Sequence, residues 1–113
     1  MKRIYIAGPM RHYRDFNFPA FHAAAAQLRA QGHFVFNPAE HDESVYGVGF
    51  AKSETGDLAD LPQFNLRKAL AEDLNFIITE ATAIAMLPGW EFSKGANAEL
   101  AAARAIGLEE IYL

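Results

Sequence analysis

Three short apolar runs in this chain each stop at a proline, and that punctuation constrains the fold more than any other feature. Arg3 to Ala7 stops at Gly8-Pro9, His33 to Phe36 closes at Asn37-Pro38, and Ala83 to Leu87 turns out through Pro88-Gly89. The runs are too short for helices and rich in β-forming residues. Proline has no amide hydrogen to extend a ladder, so each strand ends where its proline begins. Helical patterns fill the intervals. Pro19 suits a first helical turn, and Phe21, Ala24, Ala25 and Leu28 recur at helical spacing up to Gly32. Beyond Pro62, Phe64, Ala69, Leu70 and Leu74 predict a helix through about Ile78, an alanine-rich pattern spans Gly95 to Ile106, and Glu109 to Leu113 reads as a last strand.

Strands alternating with helices imply right-handed crossovers and parallel pairing. The expected fold is α/β: a small Rossmann-like (flavodoxin-like) three-layer arrangement, with a mostly parallel sheet of about four strands. The 113 residues suit one domain over 1–113. Residues Ala39 to Leu61 break the rhythm. They hold Gly47, Gly49 and Gly56, many acids and no clear period, and they read as a long loop, either a lid or a poorly ordered excursion.

Composition narrows the function. A net charge of −4 argues against a nucleic-acid polymer as partner, although Lys2, Arg3, Arg11 and Arg14 could hold one phosphate. The absence of cysteine excludes disulfides, thiolate catalysis and Cys-zinc sites, and fits a cytoplasmic setting. The apolar part of Met1 to Pro9 is too short for a signal peptide, and no run approaches the ~20 residues of a membrane span. His12, His22, His33 and His41 show no metal spacing and read as surface or helix histidines. No metal or cofactor is expected.

In a parallel sheet, ligands bind beyond the carboxyl ends of the strands. The loops after Ala7, Phe36 and Leu87 converge there. The third opens on Ser93-Lys94-Gly95-Ala96-Asn97-Ala98-Glu99. Ser93 is a good N-cap, Gly95 admits close backbone approach, and amides at a helix start suit a phosphate. Glu99 follows about one turn later. The same residues would also serve an ordinary capped helix with a solvated Glu. Asp73 stands at the border of a buried helical face, since Leu70 and Ile77 are apolar. It is either half-exposed, bonded to solvent, Asn97 or Arg67, or one of two carboxylates flanking a glycosidic bond. Tyr5 is either a core tyrosine or a donor to a carboxylate. An aromatic of the same loop, Trp90 or Phe92, either stacks on a nucleobase or plugs a subunit contact, and Lys94 either neutralises a phosphate or is solvated.

Taken together, Tyr5-Ile6-Ala7-Gly8, Asp73 and Ser93-x-Gly95-x-x-x-Glu99 resemble the nucleoside 2-deoxyribosyltransferase-like superfamily. That group includes deoxyribosyltransferases and 5′-monophosphate N-glycoside hydrolases. Ile4 to Met10 with Asn17 to Phe21 looks most like a compact branch of it, and the resemblance spans nearly the whole chain outside Ala39 to Leu61. It implies Glu99 as nucleophile at the anomeric carbon, Asp73 as acid or positioning group at the base, and Tyr5 as the group that orients Glu99. It implies a nucleoside or nucleotide ligand held by Gly8, Pro9, Met10, Arg11, Asn17, Trp90, Ser93, Lys94 and Gly95. It further implies a homodimer or larger homo-oligomer. Serine at position 93 is similar to the monophosphate hydrolases, whereas Pro9 departs from their hydroxyl-bearing first loop. A non-catalytic nucleotide-sensing module would use the same fold and anion seat.

Overall fold

The computed structural model describes residues 1–113. Strands β1 (Arg3–Ala7), β2 (Phe34–Phe36), β3 (Ala83–Met86) and β4 (Glu109–Tyr112) form one sheet in the order β2-β1-β3-β4, with every pair parallel. Helices α1 (Phe18–Ala30), α2 (Pro38–Tyr46), α3 (Leu66–Thr79) and α4 (Lys94–Ala105) connect them. This is the expected α/β three-layer, Rossmann-like arrangement, with the first four strands in flavodoxin order.

Side-chain alternation along the strands assigns the layers. Ile4, Ile6, Ala83 and Ala85 pack with Phe21, Ala25 and Leu28 of α1, while Tyr5, Ala7, Ile84 and Met86 pack with α3 and α4. Strands buried on both faces need continuous apolar runs, and β1 and β3 have them. At the amino ends of the strands, Lys2 pairs with Glu109 and Arg3 with Glu80. The order of strand addition reverses between β1 and β3.

Three helices start on side-chain caps. Asn37 accepts from the Ala39 amide, Asn65 from Lys68 and Ser93 from Ala96. The first of these corrects the expectation for Ala39 to Leu61. Its first part is α2, begun by the Asn37-Pro38 cap, and a short 3-10 turn occupies Leu58–Asp60. The remainder is neither a free lid nor an excursion, because it is knitted to the loop after β1. His12 donates its amide to the Gly56 carbonyl at 3.0 Å, Asp15 donates to the Ser53 carbonyl at 2.6 Å, and the Ser53 amide returns a bond to Asp15 Oδ1 at 2.9 Å.

These bonds hold an unusual turn. Asp15, Phe16 and Asn17 all have positive φ, at 51°, 52° and 62°, a conformation costing roughly 1–2 kcal/mol per ordinary residue. Asp and Asn tolerate it best, and Phe16 is carried between them into the core at 3% exposure. Gly56 closes the clasp. At φ +67°, its added Cβ would lie 2.6 Å from the Tyr13 amide nitrogen and 2.7 Å from that of His12. Gly56→Ala is therefore expected to destabilise the protein by about 1–3 kcal/mol beyond Gly107→Ala. Gly107 has a similar φ of +73° with nothing within 4 Å, so paired denaturant melts of the two variants isolate the collision.

Candidate active site

A cavity of about 400 Å³ opens beyond the carboxyl ends of β1 and β3. Its floor is tight. A Cβ on Gly8 would come within 2.7 Å of Leu87 Cβ, so glycine is required there for strand-end packing as well as for ligand approach. Gly8, Pro9, Met10 and Arg11 form one side of the cavity and Ser93, Lys94 and Gly95 another. Phe50, Leu58, Leu61 and Phe64 supply an apolar wall from the knitted segment.

Tyr5, Asp73 and Glu99 all line this cavity. The Tyr5 hydroxyl donates to Glu99 Oε2 at 2.6 Å, with the phenol buried. An aromatic column fixes that phenol. Tyr5 stacks on Phe36 at 5.7 Å between centroids, and Phe36 on Phe76 at 4.7 Å. Burial, with the charges of Glu99 and Asp73, pushes the Tyr5 hydroxyl above its ordinary value, so it stays a donor. Asp73 is neither half-exposed nor bonded to Asn97 or Arg67. It is 7% exposed, and its Oδ1 has no hydrogen-bond partner. Asn97 instead gives its amide to the carbonyls of Trp90, Glu91 and Ser93, bracing the loop before α4.

A third acid joins them. Asp42 on α2 is 4% exposed and lines the same cavity. Reading residues 39–61 as a loop hid it, although Asn37-Pro38 is a helix-start signal and Asp42 falls one turn after buried Ala39. Outside the cavity, His41 Nε2 pairs with Glu72. Each partner immediately precedes a buried aspartate, so the pair ties α2 to α3 and turns Asp42 and Asp73 toward common ground.

Three carboxyls here have no buried cation beside them. Burial, the largest influence on each, raises Asp42 to about 7, Asp73 to about 7 and Glu99 to about 8. Mutual repulsion adds to this. The Asp73 charge raises both Asp42 and Glu99, while the Tyr5 hydroxyl opposes burial at Asp73 and Glu99. The cluster therefore holds protons near neutrality and can both give and accept one.

Two expected ligand contacts are corrected. Asn17 does not line the cavity. Its side-chain amide donates to the Pro9 carbonyl at 3.0 Å, clasping the left-handed turn. Trp90 lies behind its loop, with its ring 5.9 Å from that of Tyr112 and packed on the α3/α4 side. Phe92, two residues on, lines the cavity instead and is 92% exposed. The basic spot also shrinks. Lys2, Arg3 and Arg14 are paired with Glu109, Glu80 and Glu54, and Arg11 and Lys94 remain at the cavity. Among the histidines, His12 belongs to the cavity mouth, and His22 pairs with Glu43. No group of acids or histidines in the structure has metal-binding geometry, and no helix is long and apolar enough to cross a membrane.

Fold and site define a small parallel α/β domain with an acid-lined, ligand-sized cleft at its topological switch point. The chain belongs to the family described as Domain of unknown function (DUF4406), whose model matches residues 2–112. No curated protein and no solved structure matches the chain.

The carboxyl cluster makes stability depend on pH. A carboxyl whose pKa is raised by folding contributes fully below the unfolded carboxylate range, near pH 4. That contribution is lost as pH climbs through about 7 for Asp73 and about 8 for Glu99. Glu99→Gln and Asp73→Asn are expected to flatten the fall, and to exceed the native chain in stability at about pH 9 by a few kcal/mol. Denaturant melts at acid, neutral and alkaline pH check this.

Proposed function

We propose that the protein cleaves the N-glycosidic bond of a nucleoside or (deoxy)nucleoside 5′-monophosphate, with Glu99 as nucleophile. The observation that carries the reading is the Tyr5-oriented Glu99 beside Asp73 within one buried cavity. Glycosidic cleavage asks for two such carboxyls, one ionised and one able to protonate the leaving group.

In the proposed reaction Glu99 attacks C1′ as the bond from C1′ to the base nitrogen breaks. Asp73 gives its proton to the departing base. The glycosyl ester on Glu99 is then opened by water, whose proton returns to Asp73, and Glu99 leaves as a carboxylate. The products are free base and the sugar or its 5-phosphate. If a second base replaces water, the same steps make the protein a transferase. Tyr5 holds Glu99 in line throughout. A 5′-phosphate has support from the start of α4, where the Ser93 hydroxyl accepts from the Ala96 amide at 3.1 Å and keeps its own hydrogen to donate outward. Arg11 and Lys94 add positive charge at the same mouth. The proposal extends to a cytoplasmic protein acting as a homodimer or larger oligomer.

One observation favours a second reading, a nucleotide-binding module without turnover. Burial raises Glu99 to about 8, and a protonated carboxyl is no nucleophile. The two readings part on product. Incubation with a panel of nucleosides and monophosphates is expected to release free base, whereas binding without release would favour the module.

Glu99→Ala is expected to abolish release, and Asp73→Asn to slow it by about a hundredfold to ten-thousandfold. Unchanged turnover in Glu99→Ala removes the mechanism. Tyr5→Phe, which loses the bond to Glu99 but not the stacking, is expected to lower kcat by about tenfold to a hundredfold with little change in KM.

A further inference from the structure

The proposed cleavage gives Asp42 no task, yet its burial inside the ligand cavity calls for one. Its carboxyl is 4% exposed and takes no hydrogen bond from any group of the protein. On α3, Asp73 Oδ1 is also unpartnered. Buried polar groups of this kind are costly unless something satisfies them, and both residues line a space large enough for a ligand.

The donors around the cavity are unevenly placed. Tyr5 is committed to Glu99. The remaining polar lining side chains that can donate, Arg11, His12, Tyr13, Ser93 and Lys94, belong to the loop after β1 and to the start of α4. The wall built by α2 and α3 offers carboxyl oxygens amid apolar side chains, with no Asn or Gln among the lining residues. Above about pH 7, where Asp42 is ionised and only accepts, a planar group entering that wall must bring its own N–H bonds. An exocyclic amino group brings two, whereas a carbonyl in the same place sets oxygen against oxygen.

We propose that Asp42, with Asp73 on the same wall, reads the base of the substrate, and that the site selects nucleobases bearing an exocyclic amino group over their oxo counterparts. The inference rests on the glycosidase reading and deepens it. Asp42 accepts from the amino group while Asp73 meets the ring nitrogen that leaves. A site that receives N–H donors at the exocyclic position rejects analogues that carry a carbonyl there, because oxygen then meets oxygen. The hydrogen bond between His41 and Glu72 holds the two reading groups in register from outside.

The test compares matched pairs differing at that one substituent, adenine with hypoxanthine and cytosine with uracil. Each is offered as the free base for calorimetric binding and as the 5′-monophosphate for kcat/KM. The native protein is expected to prefer the amino member of each pair by about tenfold to a hundredfold. Asp42→Asn, nearly isosteric and presenting a donor beside an acceptor, is expected to bring the ratio within about threefold of unity. A ratio is insensitive to a partial loss of folded protein, and the native preference needs no variant at all. Equal use of both members by the native protein overturns the inference, and so does an unchanged ratio in Asp42→Asn. Cleavage without amino preference removes this inference and leaves the glycosidase reading standing. Amino-selective binding without base release removes the glycosidase reading and keeps Asp42 as the reader. Absence of binding and cleavage with every compound removes both.

Discussion

Taking a carboxylate out of water is expensive, and this fold does it to three at one point. Asp42, Asp73 and Glu99 are each less than one-tenth exposed, and the cationic side chains of the site stand at its mouth. In such a place a carboxyl relieves the strain by holding a proton rather than by finding a partner. Tyr5 provides a donor for only one of the three. The site is thus poised for proton exchange by desolvation and mutual repulsion, without an ion pair at its centre. This is the arrangement that makes acid and base work near neutrality accessible to ordinary aspartate and glutamate.

Holding such a cluster together falls to the surrounding frame. The sheet supplies Tyr5 from β1 and, through the close approach of Gly8 to Leu87, the gap into which the acids look. The aromatic column of Tyr5, Phe36 and Phe76 binds β1, β2 and α3 into one rigid block behind the phenol. The His41–Glu72 pair joins α2 to α3 on the outside, opposite in sense to the repulsion within. The left-handed turn at residues 15–17 carries strain of its own, and the bonds from Ser53, Gly56 and Asn17 hold it while completing the cavity wall.

Much of this was legible in the residues. The prolines after each run located the strand ends, and the apolar β1 and β3 announced a sheet covered on both faces. Glu99 and Asp73 could be placed at the same end of that sheet because helical position is periodic. Asp42 could not, because a run of acids and glycines masked the cap at Asn37 and the single buried turn behind it. Trp90 and Asn17 misled for a related reason. Both lie on loops that do border the site, but the direction of a loop side chain follows from backbone angles such as the positive φ of Asn17, which no spacing rule reports. The docking of Ser53 and Gly56 on the first loop is a contact between distant segments, and local pattern carries no trace of it.

Tyr5, Asp73 and Glu99 stand on β1, α3 and α4, whereas Asp42 stands on α2, a nine-residue helix with its own cap at Asn37. The residue proposed to read the amino group is thus housed apart from those proposed to break the bond. Alteration of that one short helix would redirect the appetite of the pocket while its reactive machinery stayed whole, giving a scaffold of this size room to diversify by exchanging a single module.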